Sequence, residues 1–232
     1  MGYLISPQNL KTSKRSDLIT SVYNYKFYIL VFMVHLFLAN GFEEIEALTT
    51  LDILRRAAIP VETVSISGSR NVTGAHGVTV KADSVFRKSE LVKSDCLILP
   101  GGMPGADNLR MHPGVCQAVK KQVERGAYVA AICAAPSVVL GTCGLLQGKK
   151  ATTYPGFEDK SHGAHYTKKG IEADGTIITA KAPGFTFEFA FTIVEALKGS
   201  DVVKEVKKAL CIVCSPLFEF LLGHTTPFVS HQ

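Results

Sequence analysis

A chain of 232 residues, 47% hydrophobic and 19% charged, can bury one full core, which excludes intrinsic disorder. Its net charge of +5 rests on scattered cations such as Lys11, Lys14, Lys204 and Lys207, with no basic stripe interleaved with aromatics, so no nucleic-acid partner is expected. Six cysteines, at 96, 116, 133, 143, 211 and 214, lack the paired CxxC spacing of a zinc site and are too few for a disulfide scaffold; mostly reduced thiols point to a reducing compartment.

Residues 1–27 read as a mobile extension. The run FYILVFMVHLFLA, residues 27–39, has the apolar character of a signal-peptide core, yet it is too short for a membrane span and is interrupted by His35. A helix and a strand follow it directly, so it serves better as the buried first strand of a parallel sheet. EEIEALTTLDILRRAA places Ile45, Leu48, Leu51 and Leu54 at helical spacing and opens with acids at the positive end of the helix dipole. VETVSIS is a strand, and Gly74 and Gly77 bracket the turn of a small hairpin in NVTGAHGVTVKAD. SDCLILPGG is a buried strand ending in glycines, HPGVCQAVKKQVERGA a helix closed by Gly126, YVAAI a strand, and APSVVLGTCGLL a helix. KATTY and GAHYTKKGIEADGTIITA add strands, GFTFEFAFTIVEALKG a long helix, and SDVVKEVKKAL ends the core. This alternation predicts one α/β domain over residues 28–210, a mostly parallel sheet with helices on both faces, followed by an apolar extension at 211–232.

Function in such sheets gathers at the carboxyl ends of strands, and three segments sit there: LANGFEEIEA, LILPGGMPGADN and AAICAAP. Cys133 lies between a strand and a helix, the setting of a nucleophile elbow, with Ala131, Ala134 and Ala135 relieving crowding and Pro136 suited to the first helical turn. A helix N-terminus is expected to lower its thiol pKa. A packed core cysteine is the other reading of the same position. Gly101 and Gly102 let backbone N–H groups approach a ligand, and the N–H groups of Gly102 and Ala134 together would form an oxyanion hole; most glycines after a strand, however, only make turns. Glu43 and Glu46, three apart, share one face of a helix's first turn, either as ordinary helix-start acids or, for one beside a thiolate, as a proton holder. His165 in GAHYT is placed to act as a base in a Cys–His arrangement or to be solvated, while His76, His112 and His162 have no comparable context.

Taken together, GFEEIEA at 41–47, LPGGMPGADNL at 99–109, AAICAAP at 130–136, HYT at 165–167 and FEFAFTIVEALKG at 187–199 resemble the DJ-1/PfpI superfamily, and within it the DJ-1-like branch. The resemblance covers about residues 33–210 and implies a flavodoxin-like α/β sandwich, a homodimer and a cytoplasmic protein. Carried over by residue, it makes Cys133 the reactive cysteine, Glu46 the protonated glutamate beside it, Gly102 and Ala134 the backbone donors, and His165 the neighbouring histidine. It implies no cofactor, no metal and no membrane partner. The implied activity is a cysteine-dependent glyoxalase or deglycase acting on 2-oxoaldehydes such as methylglyoxal, or on their early adducts. The alternatives are a redox-sensing, chaperone-like protein acting through Cys133 oxidation, and a plain binding module. Lys181 and Ala182 stand where relatives tend to have arginine and glycine, which puts shared contacts there in doubt.

Overall fold

The strand at the centre of the molecule, β1 (Val34–Leu38), is buried at every position, as a central parallel strand requires. It is five residues of the longer apolar run; the computed structural model describes residues 33–87, 91–158 and 163–212, so residues 27–32, both expected extensions apart from Cys211 and Ile212 (Cys214 among them), and His162 lie outside the described residues. His35 interrupts the run without cost because its imidazole is paired. Nδ1 lies 2.9 Å from Ser94 Oγ and Nε2 lies 3.4 Å from the Glu62 carboxylate.

The main sheet has seven strands. Around β1 lie β2 (Val61–Ser65), β5 (Ser84–Val85), β6 (Cys96–Leu99), β7 (Tyr128–Ile132), β10 (Ile171–Asp174) and β11 (Ile177–Ala180), in the order β10-β11-β7-β6-β1-β2-β5. Every pairing is parallel except the edge pair β10–β11. β3 (Asn71–Thr73) and β4 (Thr79–Lys81) form the expected hairpin, and β8 (Lys150–Ala151) and β9 (His165–Tyr166) a short separate pair.

The connection β1→β2 runs through α1 (Glu44–Arg56), and β6→β7 runs through α2 (Gly105–Met111) and α3 (Pro113–Glu124). The two connections travel in opposite directions along the sheet, so right-handed crossovers put their helices on opposite faces. α4 (Thr186–Lys198) packs on α1, and α5 (Ser200–Ala209) follows on α4. The sheet order reverses between β1 and β6, and the loops leaving their carboxyl ends open there. Among the described residues no helix is long and apolar enough to cross a membrane.

Two local expectations change. The helix expected after Cys133 is a six-residue π-helical segment, Pro136–Gly141, followed by turns. The thiols are also not all reduced: Cys116 of α3 and Cys143, just past that segment, form a disulfide, while Cys96, Cys133 and Cys211 are free. The pairing reaches across 27 residues of sequence with no local motif to announce it.

Candidate active site

The site begins with the cap of α1. Glu43 stands in extended conformation at the N-cap, and its Oε2 accepts the Glu46 N–H at 2.7 Å. The adjacent Glu44 faces the hairpin instead, where its carboxylate accepts the backbone N–H of His76 at 2.8 Å and meets that residue's Nδ1 at 2.8 Å. That bond raises the His76 pKa. Of the three acids, Glu46 is the one that turns under the sheet end, at 1% exposure. Its Oε2 accepts the Gly101 N–H at 2.7 Å. Oε1 is buried with no nitrogen or oxygen partner, and the side chain facing the carboxyl is Cys133.

Cys133 follows β7 with φ of +64°, the left-handed region that non-glycine residues rarely occupy. Its neighbours hold it there. The Cys133 N–H donates to Ala180 O at 2.9 Å, continuing the β7–β11 ladder by one residue. Its carbonyl accepts the Tyr154 N–H at 2.8 Å and Thr153 Oγ1 at 2.9 Å. Strain held by surrounding hydrogen bonds is typical of a constrained functional residue. The side chain is 9% exposed, and its sulfur accepts from the backbone N–H groups of Gly102 and Ala134.

The two glycines after β6 make this approach possible. A Cβ on Gly101 would stand 2.7 Å from Cys133 Cβ and 2.9 Å from Glu46 Oε2. Gly102 has φ of +83°, and a Cβ there would come within 2.5 Å of Glu43 N and Gly41 O.

Burial and two partially competing groups set the ionisation of the pair. Desolvation raises Glu46 to about 7, opposed by the hydrogen bonds from Gly101 and Cys133. The thiol departs from the sequence expectation: Cys133 is pushed up to about 12, first by burial and then by the Glu46 carboxylate, against the lowering influence of the Gly102 and Ala134 N–H groups. Burial, and after it the neighbouring carboxylate, outweighs the lowering that a helix end would bring. Two acids in contact titrate as one system, so the first proton leaves the pair near 7 and the second near 12. Between these limits the pair carries one proton and one negative charge.

Of the residues expected in the site, Cys133, Glu46, Gly102 and Ala134 therefore meet, and His165 does not join them. β9 alternates its side chains, so Tyr166 turns inward, its hydroxyl bonded to Ser137 Oγ, and His165 faces solvent with its backbone N–H on Lys149 O at 2.8 Å. The residue that sequence reasoning passed over is Tyr154, which stands at the elbow through its bond to Cys133 O and is 43% exposed. Its place in a loop after a two-residue strand offered no periodic signal.

The described residues thus assemble a thiol, a proton-holding carboxyl and two backbone donors in one buried place. The DJ-1/PfpI family model matches residues 33–196. Protein DJ-1 homolog A of Arabidopsis thaliana is 38% identical over 187 residues, covering 79% of this chain and 47% of the relative, so the chain spans about half the length of that protein. A Caenorhabditis elegans protein named glutathione-independent glyoxalase DJR-1.2 is 32% identical over 171 residues, 73% of this chain and 90% of the relative. The solved structure of Toxoplasma gondii DJ-1, in an oxidized form, superposes with a TM-score of 0.73 at 36% identity, covering 78% of this chain and 98% of that one.

Proposed function

The chain belongs to the DJ-1/PfpI family, and from that premise we propose that it is a cysteine-dependent, cofactor-independent glyoxalase or deglycase acting on 2-oxoaldehydes or their early adducts, in protection against carbonyl and oxidative stress. The observation that carries this reading is the convergence of Glu46 and the Gly102 and Ala134 N–H groups on the Cys133 sulfur. The relative from C. elegans bears the name of the same activity.

The chemistry balances on these residues alone. In the one-proton state with the charge on sulfur, Cys133 attacks the aldehyde carbon of methylglyoxal and forms a carbon–sulfur bond. The carbonyl oxygen takes up the Glu46 proton, and the N–H groups of Gly102 and Ala134 steady the charge as it develops. Glu46, now a carboxylate, removes the hydrogen from the former aldehyde carbon as a proton and returns it to the adjacent carbon. The hydroxyl proton on the first carbon's oxygen passes to the oxygen of the second carbon, so the first carbon is oxidised to a thioester and the second reduced to a carbinol. Water, giving a proton to Glu46, then cleaves the thioester, releasing lactate and one proton to solvent and restoring the Cys133 thiolate beside protonated Glu46. No external oxidant or reductant enters. His165, whose side chain faces solvent, is assigned no step in this sequence.

Lactate formation from methylglyoxal without added glutathione tests the reading; equal inactivity of the wild type and Cys133→Ala would overturn it. The same thiol supports a redox-sensing role as well, an idea favoured by the oxidized form of the Toxoplasma relative. Peroxide accepts the thiolate's electron pair to give a sulfenic and then a sulfinic acid beside Glu46. Mass spectrometry after mild peroxide would find oxidation concentrated at Cys133; an even spread over the free cysteines would remove the role. A homodimer is the assembly in this reading, checked by light scattering.

A further inference from the structure

The loop that supports the elbow also roofs a second cavity. A space of about 230 Å³ is lined by Thr152, Thr153, Glu158, Tyr166, Lys168 and Lys181, among others. Two of its residues tie it to Cys133. Thr153 donates its hydroxyl to Cys133 O at 2.9 Å, and Lys181 follows Ala180, whose carbonyl receives the Cys133 N–H.

The cations here differ from their neighbours on the same edge of the molecule. Lys169 is paired with Glu172 at 3.3 Å and Lys149 with Asp174 at 3.4 Å. Lys168 and Lys181 have no acidic partner among the described residues, although Glu158 shares the cavity; its Oε2 accepts the Gly156 N–H at 2.7 Å. Lys168 is also held at φ of +60°, an unfavourable backbone for a lysine, while its side chain makes no ion pair among the described residues. Two ammonium groups without an acidic partner among the described residues, around a small cavity, offer donors to oxyanion oxygens, and the Glu158 carboxylate offers an acceptor for a hydroxyl or ammonium; the hydroxyls of Thr152 and Thr153 are already donated to Lys169 O and Cys133 O.

We propose that this cavity is an anion subsite, in which Lys168 and Lys181 hold the carboxylate or phosphate oxygens of a compound whose carbonyl is offered to Cys133, with Glu158 taking a hydroxyl or amine of the same compound. The substrates it selects are anionic aldehydes or adducts carried on amino acids or sugar phosphates, rather than neutral methylglyoxal alone. The link to turnover rests on the function proposed above, but the subsite itself does not.

The experiment is titration of the full chain with inorganic phosphate and, separately, with acetate, at ionic strength matched with chloride, followed by amide shifts of residues 152–158 and 181. Saturable shifts are expected with at least one of the two anions, the tighter one identifying the group. Lys168→Gln and Lys181→Gln should each weaken binding about fivefold, and Glu158→Gln should tighten it about twofold. Shifts equal to those of chloride, or shifts that survive the double lysine variant in a protein of unchanged melting temperature, would overturn the subsite. Anion shifts in a protein that turns over neither methylglyoxal nor an anionic aldehyde adduct would refute the proposed enzyme and leave the subsite standing, whereas turnover without anion shifts would do the reverse.

Discussion

Two free thiols are buried in the same sheet at opposite ends of adjacent strands. Cys96 opens β6 at the amino end, and Cys133 follows β7 at the carboxyl end. Burial raises both pKa values, and for Cys96 it has only the nearby Asp95 to add to it. Cys96 lies in ordinary strand geometry, its neighbourhood closed by the Ser94 hydroxyl, which donates to Cys96 O at 2.9 Å and meets His35. Cys133 has a left-handed backbone, two N–H donors on its sulfur and a carboxyl that shares its proton. Burial alone makes a thiol inert. A buried thiol becomes a reagent when a second acid beside it can take the proton without leaving the site.

Substitutions at the two cysteines break the comparison most sharply. Cys133→Ala should reduce methylglyoxal turnover by at least about 10³-fold, whereas Cys96→Ala should leave turnover within about twofold and cost about 1–2 kcal/mol of stability through the cavity it opens. Kinetics and denaturant unfolding on the two variants check both halves. Next in size is Gly102→Ala, where a Cβ meets backbone atoms at 2.5 Å. It should destabilise the protein by about 3 kcal/mol and displace an oxyanion donor, read as a lowered unfolding midpoint together with lost turnover.

Glu46→Gln sharpens the contrast through pH. The folded pKa of Glu46, about 7, lies above its ordinary 4.5, so the native state holds this proton more tightly than the unfolded chain does. Its stabilising contribution is present at low pH and lost as pH rises through about 7. The glutamine variant should therefore gain on the wild type between pH 5 and 8, by up to about 3 kcal/mol, in unfolding measured at both pH values. The smallest effect is at His165→Ala, expected to leave kcat/KM within about twofold because the imidazole stands in solvent.

Much of the fold is legible in the amino-acid sequence. The continuous apolar runs of β1, β6 and β7 reflect burial, and burial patterns sequence strongly. In α1 the existence of the helix was legible but its inward face was not: of Ile45, Leu48, Leu51 and Leu54 only Leu54 is buried, Ile45 is 55% exposed, and the core is met instead by Ala47, Thr50, Ile53 and Leu54, because the helix turns Glu46 under the sheet end. α2 escaped because seven residues that open with Gly105 carry too little periodicity. In the site, Cys133, Glu46 and the Gly101–Gly102 pair were legible because each stands at the end of a readable strand or the start of a readable helix. His165 misled because the motif around it shows that a strand is present but not which of its alternating side chains faces inward. The raised thiol pKa and the Cys116–Cys143 disulfide were out of reach for a related reason. Both depend on which distant residues meet in space, and a run of local residues does not encode that.

If Cys133 and Glu46 share one proton, the pH profile of Cys133 alkylation by iodoacetamide, resolved by mass spectrometry, carries its signature. In the wild type the rate should rise to about pH 7, where the pair loses its first proton, and then level off, because further hydroxide removes nothing until the second proton leaves near 12. In Glu46→Gln the rate should keep climbing about tenfold per pH unit through pH 8 and 9, as for a lone buried thiol. A wild-type profile that climbs through pH 7 to 9 without a break, parallel to that of Glu46→Gln, would contradict the shared proton.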